Sequence, residues 1–152
     1  MTQAAAQKAL ALDDQLAEPQ AVLAVVKYNY DWDWATAEKM FQRAITLNPN
    51  YATARQWYGE CLLYQGRIDE GTAEIEHAYE LDPASLIINT QRGFAYLWGR
   101  QLERAMGQYR KTLELEPNYS TALCGLGHYT LNKSFTAKFP VTKTQSCGCL
   151  LS

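Results

Sequence analysis

Along the chain, blocks of apolar residues at helical spacing alternate with short polar breaks. The stretch from Tyr51 to Tyr64 reads as a helix. Gln65-Gly66-Arg67 stops it, and a second helix is predicted from Ile68 to Leu81. Gly66 suits a left-handed helix end, and Pro83 cannot continue a helix interior. Asp69 and Glu70 fall in the first turn of the second helix, where carboxylates complement the helix dipole.

The same two-helix block recurs. Leu47-Asn48-Pro49, Leu81-Asp82-Pro83 and Leu115-Glu116-Pro117 place their prolines 34 residues apart, and Gly59, Gly93 and Gly127 keep the same interval. Asn50-Tyr51 and Asn118-Tyr119 follow two of the prolines. Leu12-Asp13-Asp14 takes the equivalent place at a spacing of 35, which predicts one inserted residue, and a bulged turn, near Asp31-Trp32-Asp33-Trp34. Small residues sit mid-way along the second helices (Ala37 with Ala44, Gly71 with Ala78, and Ala105), where they let neighbouring helices approach. Phe41, Ile75 and Tyr109, one turn later, fill the space between them. A single helix pair of this size cannot bury its apolar face, so successive pairs must stack on their nearest neighbours. The predicted fold is all-α, a right-handed superhelical solenoid of antiparallel helix pairs.

The 34-residue period, the Gly59/Gly93/Gly127 series, Ala37-x-x-x-Phe41, Ala105-x-x-x-Tyr109 and the closing prolines resemble the tetratricopeptide repeat (TPR) family over about residues 17–131. The resemblance divides residues 1–132 into a half repeat at about 2–14, repeats at about 17–49, 52–83 and 86–117, and a half repeat at about 119–132. An irregular tail occupies 133–152. Running from mid-repeat to mid-repeat, the chain looks like a piece of a longer array. It departs from the family where an aromatic often precedes the first-helix glycine: Arg55, Asn89 and Leu123 stand there, and Ala24 replaces the first glycine. The stretch from Tyr30 to Tyr51, with its YDWDW start, is similar to TPR regions of bacterial multidomain regulators, which implies a signalling context.

Charge and chemistry narrow the function. With 14 Lys+Arg against 16 Asp+Glu in 152 residues, the chain lacks the basic surface that nucleic acid requires. It has no apolar run near the ~18–20 residues that span a bilayer, and MTQAAAQKALALDD is no signal peptide, so a cytoplasmic protein is expected. The four cysteines are too dispersed for a disulfide framework. His77 and His128 stand outside any catalytic motif; His77 reads as a surface or partly buried residue and His128 as facing the groove. Cys147-Gly148-Cys149 lacks a second ligand pair for zinc. No enzyme activity, cofactor or metal is expected. Cys149-Leu150-Leu151-Ser152 matches a prenylation box, so lipidation of Cys149 is the one route to a membrane.

By the family's pattern the first helices line a concave groove. Thr53, Gln56, Glu60, Leu63 and Tyr64 would face it in the second unit, and Ile87, Thr90, Phe94, Leu97 and Trp98 in the third. The first unit would add Ala21, Val25, Tyr28 and Asn29, and the fourth Thr121, Cys124, His128 and Leu131. The resulting peptide-binding candidates are Tyr28, Asn29, Gln56, Glu60, Tyr64, Thr90, Phe94, Trp98 and His128. Arrays of this family that hold the acidic tail of heat-shock chaperones carry a clamp of Lys, Asn and Arg. Here those positions read Ala21, Val25, Trp57, Ile87 and Gln91, or one repeat later Gln56, Glu60, Gln91, Thr121 and Gly125, and neither frame makes a clamp. The expected partner is therefore a protein or peptide presenting an amphipathic helix or an apolar segment, with the aromatics as anchors. Two alternatives stand beside it: the aromatics pack between helices, or uncapped apolar ends drive homo-oligomerisation.

Overall fold

A computed structural model describes residues 2–127. Within them the chain runs α1 (Gln3–Leu12), α2 (Ala17–Asn29), α3 (Trp34–Leu47), α4 (Ala52–Tyr64), α5 (Ile68–Leu81), α6 (Leu86–Trp98) and α7 (Leu102–Leu115), and is helical again at residues 120–127. The expected all-α array of helix pairs is what forms. α2 packs on α3, α4 on α5 and α6 on α7, while α3–α4 and α5–α6 contacts join the pairs and α1 packs on α2. First helices also touch one another, α2 with α4 and α4 with α6, whereas the backbones of α3, α5 and α7 stay apart. A layer in contact behind a layer that is splayed must curve. The first helices therefore form the concave side.

Close approach within each pair depends on missing side-chain atoms. Gly59 on α4 and Gly71 on α5 face each other so tightly that a Cβ on Gly59 would lie 2.6 Å from Ile75 Cγ1 and 2.8 Å from the Gly71 carbonyl oxygen. One repeat on, the Tyr109 ring occupies the space that a Cβ on Gly93 would take, and it presses equally on Gly125 of the following helix. Gly127, the member of the 34-residue series in that helix, is exposed. Ala37, Gly71 and Ala105, with Phe41, Ile75 and Tyr109, are buried as their spacing predicts.

The turns between paired helices explain the inserted residue. Trp32, Gly66 and Arg100 have positive φ (55°, 78° and 57°) and lie 34 residues apart, so each turn reverses through one left-handed residue. Only Gly66 adopts it without a steric cost. In the second and third pairs the closing bond spans five residues, from Arg67 N–H to Leu62 O and from Gln101 N–H to Tyr96 O. In the first, Asp33 N–H reaches back six, to Lys27 O. The extra residue is thus accommodated between Asn29 and Trp32. Asp33 then caps α3 by accepting from Thr36 N–H at 3.1 Å, and Trp34 packs on Tyr28, with ring centroids 5.9 Å apart.

Polar links join successive pairs. Arg55 donates from Nε to Pro49 O and from Nη1 to Glu74 at 3.0 Å; one period later Asn89 donates to Pro83 O at 2.8 Å and accepts from Gln108 at 2.6 Å. Arg55 and Asn89, two of the three residues that depart from the family's aromatic, thus tie the proline carbonyl of the preceding repeat to the outer helix of their own. Arg67, at the start of α5, donates to both oxygens of Glu38 on α3 at 2.9 and 3.0 Å, and the Tyr58 hydroxyl donates to the same carboxylate at 2.8 Å. Burial pushes the Glu38 carboxyl up, yet the hydrogen bonds from Arg67 and Tyr58 prevail and hold it below the ordinary glutamate range.

Two predictions follow from this packing. Gly59→Ala forces a Cβ against backbone and should lower stability by about 1–3 kcal/mol. Gly107→Ala, on α7 with nothing within 4 Å, should raise it by up to ~1 kcal/mol through helix propensity; urea midpoints check both. Because the folded-state value of Glu38 is depressed, its contribution is intact above the ordinary value of 4.5 and is lost as pH falls through the lower folded value. The stability gap between the parent chain and Glu38→Gln should therefore shrink on acidification, and a pH-independent gap would refute the coupling.

Candidate functional site

Between α4 and α6 the concave face opens into a cleft of about 190 Å³, lined by Glu60, Leu63, Tyr64, Gln91, Phe94 and Trp98. Helical spacing assembles it. Glu60, Leu63 and Tyr64 lie at i, i+3 and i+4 on α4, and Gln91, Phe94 and Trp98 at i, i+3 and i+7 on α6, so each set forms one stripe and the stripes face each other. Tyr64 and Trp98 are 53% and 44% exposed and meet edge to face with centroids 5.4 Å apart. The buried ring of Tyr28 lies 6.4 Å from Tyr64, so an aromatic ladder crosses three repeats as Tyr28, Tyr64 and Trp98. Phe94 packs at 5.7 Å on Tyr109 and also walls the cleft, combining the two roles the sequence left open for the aromatics. A shallower hollow of about 50 Å³ continues the groove past Ile87, Thr90, Gln91, Phe94, Tyr119 and Thr121.

Glu60 is the charged residue in this lining. The Tyr64 hydroxyl donates to its Oε1 at 3.4 Å. Burial raises the Glu60 carboxyl above the ordinary range, against the opposing effect of hydrogen bonds from Tyr64 and Gln91. No lysine or arginine among the described residues forms an ion pair with it. The arginines of the same helix layer turn outward instead: Arg55 pairs with Glu74 at 3.0 Å and Arg92 with Glu76 at 2.6 Å, both on α5. Burial likewise raises Tyr64, with the Glu60 charge adding to the shift.

Of the residues expected at the groove, Glu60, Tyr64, Phe94 and Trp98 come together in one cleft. Thr90 lines the adjoining hollow, and its hydroxyl donates to Leu86 O. Gln56 is only 4% exposed and sits in the helix packing, as does Tyr28 apart from its ring contact with Tyr64. Asn29 is exposed at the end of α2. His128 and Cys149 lie outside the described residues. His77 is exposed on α5, in a hollow on the outer side with Pro49, Arg55 and Glu80. Cys61 is a buried free thiol whose pKa burial raises, and Cys124 is an exposed one. Gln91 was not among the expected binding residues, although its spacing from Phe94 and Trp98 places it on their stripe.

The cleft offers aromatic faces, one carboxylate and one amide. Among the described residues no group of three His, Cys, Asp or Glu side chains is arranged to hold a metal ion. No helix there is long and apolar enough to cross a membrane.

A tetratricopeptide-repeat family model matches residues 33–83. The Hsp70-Hsp90 organizing protein of Triticum aestivum is 30% identical over 90 residues, which are 59% of this chain and 16% of that protein. The chain thus spans about a sixth of that relative's length. Among solved structures, YrrB, described as a TPR protein with an unusual peptide-binding site, matches with a TM-score of 0.69 at 25% identity over 82% of this chain and 64% of its own. The first TPR of Spaghetti (RPAP3), bound to the HSP90 peptide SRMEEVD, matches with a TM-score of 0.67 at 19% identity over 76% of this chain and 94% of its own, a likeness of fold. With its 34-residue period, glycine-packed helix pairs and curved stacking, the chain has the fold of tetratricopeptide-repeat proteins, and its residues 33–83 match that family's model.

Proposed function

We propose that this chain is a non-enzymatic protein-interaction module that takes a peptide or a helix into the groove between α4 and α6, within a larger regulatory protein. The observation that carries the proposal is the pair of half-exposed aromatics, Tyr64 and Trp98, standing over a preformed cleft beside a single carboxylate. Large rings held by packing lose little freedom when a partner covers them, which is why aromatics dominate binding energy at interfaces. The peptide complex of RPAP3 and the peptide-binding site named for YrrB support a ligand in a fold of this kind. The similarity of the Tyr30–Tyr51 stretch to bacterial regulators supports the regulatory setting.

A second reading, self-association, is favoured by Leu12, 82% exposed at the end of α1, and by the neighbouring exposed Leu16. An uncovered apolar edge on a stacked array invites another copy.

Peptides selected on the chain from a random heptapeptide phage library should bind the Tyr64→Ala/Trp98→Ala variant about tenfold or more weakly while its helical circular dichroism is unchanged. Equal binding would place the site elsewhere. For self-association, light scattering over a concentration series should show species heavier than 17.2 kDa; a monomer throughout disposes of that reading.

A further inference from the structure

We propose that the α4–α6 cleft selects a positively charged side chain, so that the partner is an apolar segment of another protein carrying a lysine or arginine that sits against Glu60 beside the rings of Tyr64 and Trp98. This rests on the groove-binding reading and names the chemistry of its ligand.

Charge complementarity points that way. Glu60 projects into an otherwise uncharged groove with no cationic partner among the described residues, and the arginines on its own layer are committed to Glu74 and Glu76 behind it. Its donors among the described residues are neutral, the Tyr64 hydroxyl at 3.4 Å and the Gln91 amide. A half-buried carboxylate in that state gains more from an incoming ammonium or guanidinium than one already paired or fully hydrated. Burial holds its carboxyl above the ordinary range, and no neighbouring cation offsets that effect. The ring faces add a second attraction, because a cation within about 6 Å of an aromatic centroid is drawn to its negative face.

The fold already uses that chemistry on its outer side. The guanidinium of Arg92 lies 4.1 Å from the centroid of Tyr79, and that of Arg104 lies 4.1 Å from Tyr96, in each case beside Glu76. Glu60, Tyr64 and Trp98 repeat the combination of carboxylate and aromatic rings in the groove, with the cation's place open to a ligand. A lysine or arginine stem would lie along Leu63 and Phe94, so apolar flanks on either side of the charge fit the remaining walls. An acidic segment would meet Glu60 head on.

The test pans one random heptapeptide library on the parent chain, on Glu60→Gln and on Glu60→Lys, with circular dichroism as the control for folding. Peptides retained by the parent chain should be enriched in lysine and arginine with apolar neighbours, and those retained by Glu60→Lys should turn to aspartate and glutamate. A selected lysine peptide should bind the parent chain about tenfold more tightly than its glutamine counterpart, and Glu60→Gln should bind the two alike. Selection of uncharged or acidic peptides by the parent chain, or a lysine preference that survives in Glu60→Gln, overturns the charge assignment. If those peptides nonetheless fail on Tyr64→Ala/Trp98→Ala, groove binding stands and only the charge preference falls. If no peptide is retained by the parent chain above that double variant, both fall.

Discussion

Contact between the two helices of a repeat is the constraint on which the rest of the molecule depends. Gly59 and Gly71 bring α4 and α5 together at backbone distance, with Ile75 closing over the contact; Gly93 lets α6 rest on the ring of Tyr109. Close pairing of this kind fixes the helices as rigid two-helix blocks, and blocks have few ways to stack. The inner helices meet, α2 with α4 and α4 with α6, while the backbones of the outer ones stay apart, so the array bends toward the inner layer. Curvature is what turns the stripes of α4 and α6 toward each other. The cleft thus depends on Gly59 and Gly93, which let its two helices pack closely on α5 and α7.

Polar side chains do a different job from the core, setting the relation of one block to the next. Arg55 and Asn89 each hold the carbonyl of the proline that closes the preceding repeat and a partner on the outer helix, once through an ion pair and once through an amide pair. Both pairings satisfy the same carbonyl and the same inter-helix gap, so side chains of different charge fill one structural role. The Arg67–Glu38–Tyr58 cluster crosses the adjoining boundary. Fixing Arg55 and Arg92 on this outer side also strips the groove of positive charge, which links the stacking of the repeats to the electrostatics of the concave face.

How much of this was legible in the residues follows from range. Helix limits and the period were legible because they rest on local signals: Gly66 and Pro83 end helices by conformation alone, whatever surrounds them. The inserted residue could be counted from spacing, but its lodging before Trp32 depends on the closing bond from Asp33 to Lys27, which spacing does not show. Gly127 keeps the 34-residue beat while Gly125 receives the Tyr109 ring, since the ring spans from one repeat to the next and the period describes only positions within a repeat. The same difference separates the groove candidates. Glu60, Tyr64, Phe94 and Trp98 lie on the facing stripes, whereas Gln56 and Tyr28 are drawn into contacts with the neighbouring helices that a pattern of positions on one helix cannot resolve.

The likeness to proteins that bind chaperone peptides makes the sign of the groove informative. The peptide held by RPAP3, SRMEEVD, ends in three acidic residues out of its last four. Recognition of such a segment calls for lysine, arginine and amide donors. Here the equivalent surface presents Glu60 among Tyr64, Phe94 and Trp98, and the nearby arginines are spent on α5. A repeat array can change this at groove positions such as Glu60 and Trp98, which take no part in the glycine-dependent contacts that hold the pairs together, whereas Leu63 and Phe94 also pack against Gly71 and Tyr109. One scaffold can thus serve partners of different charge, and the fold alone does not carry a relative's ligand across to this chain.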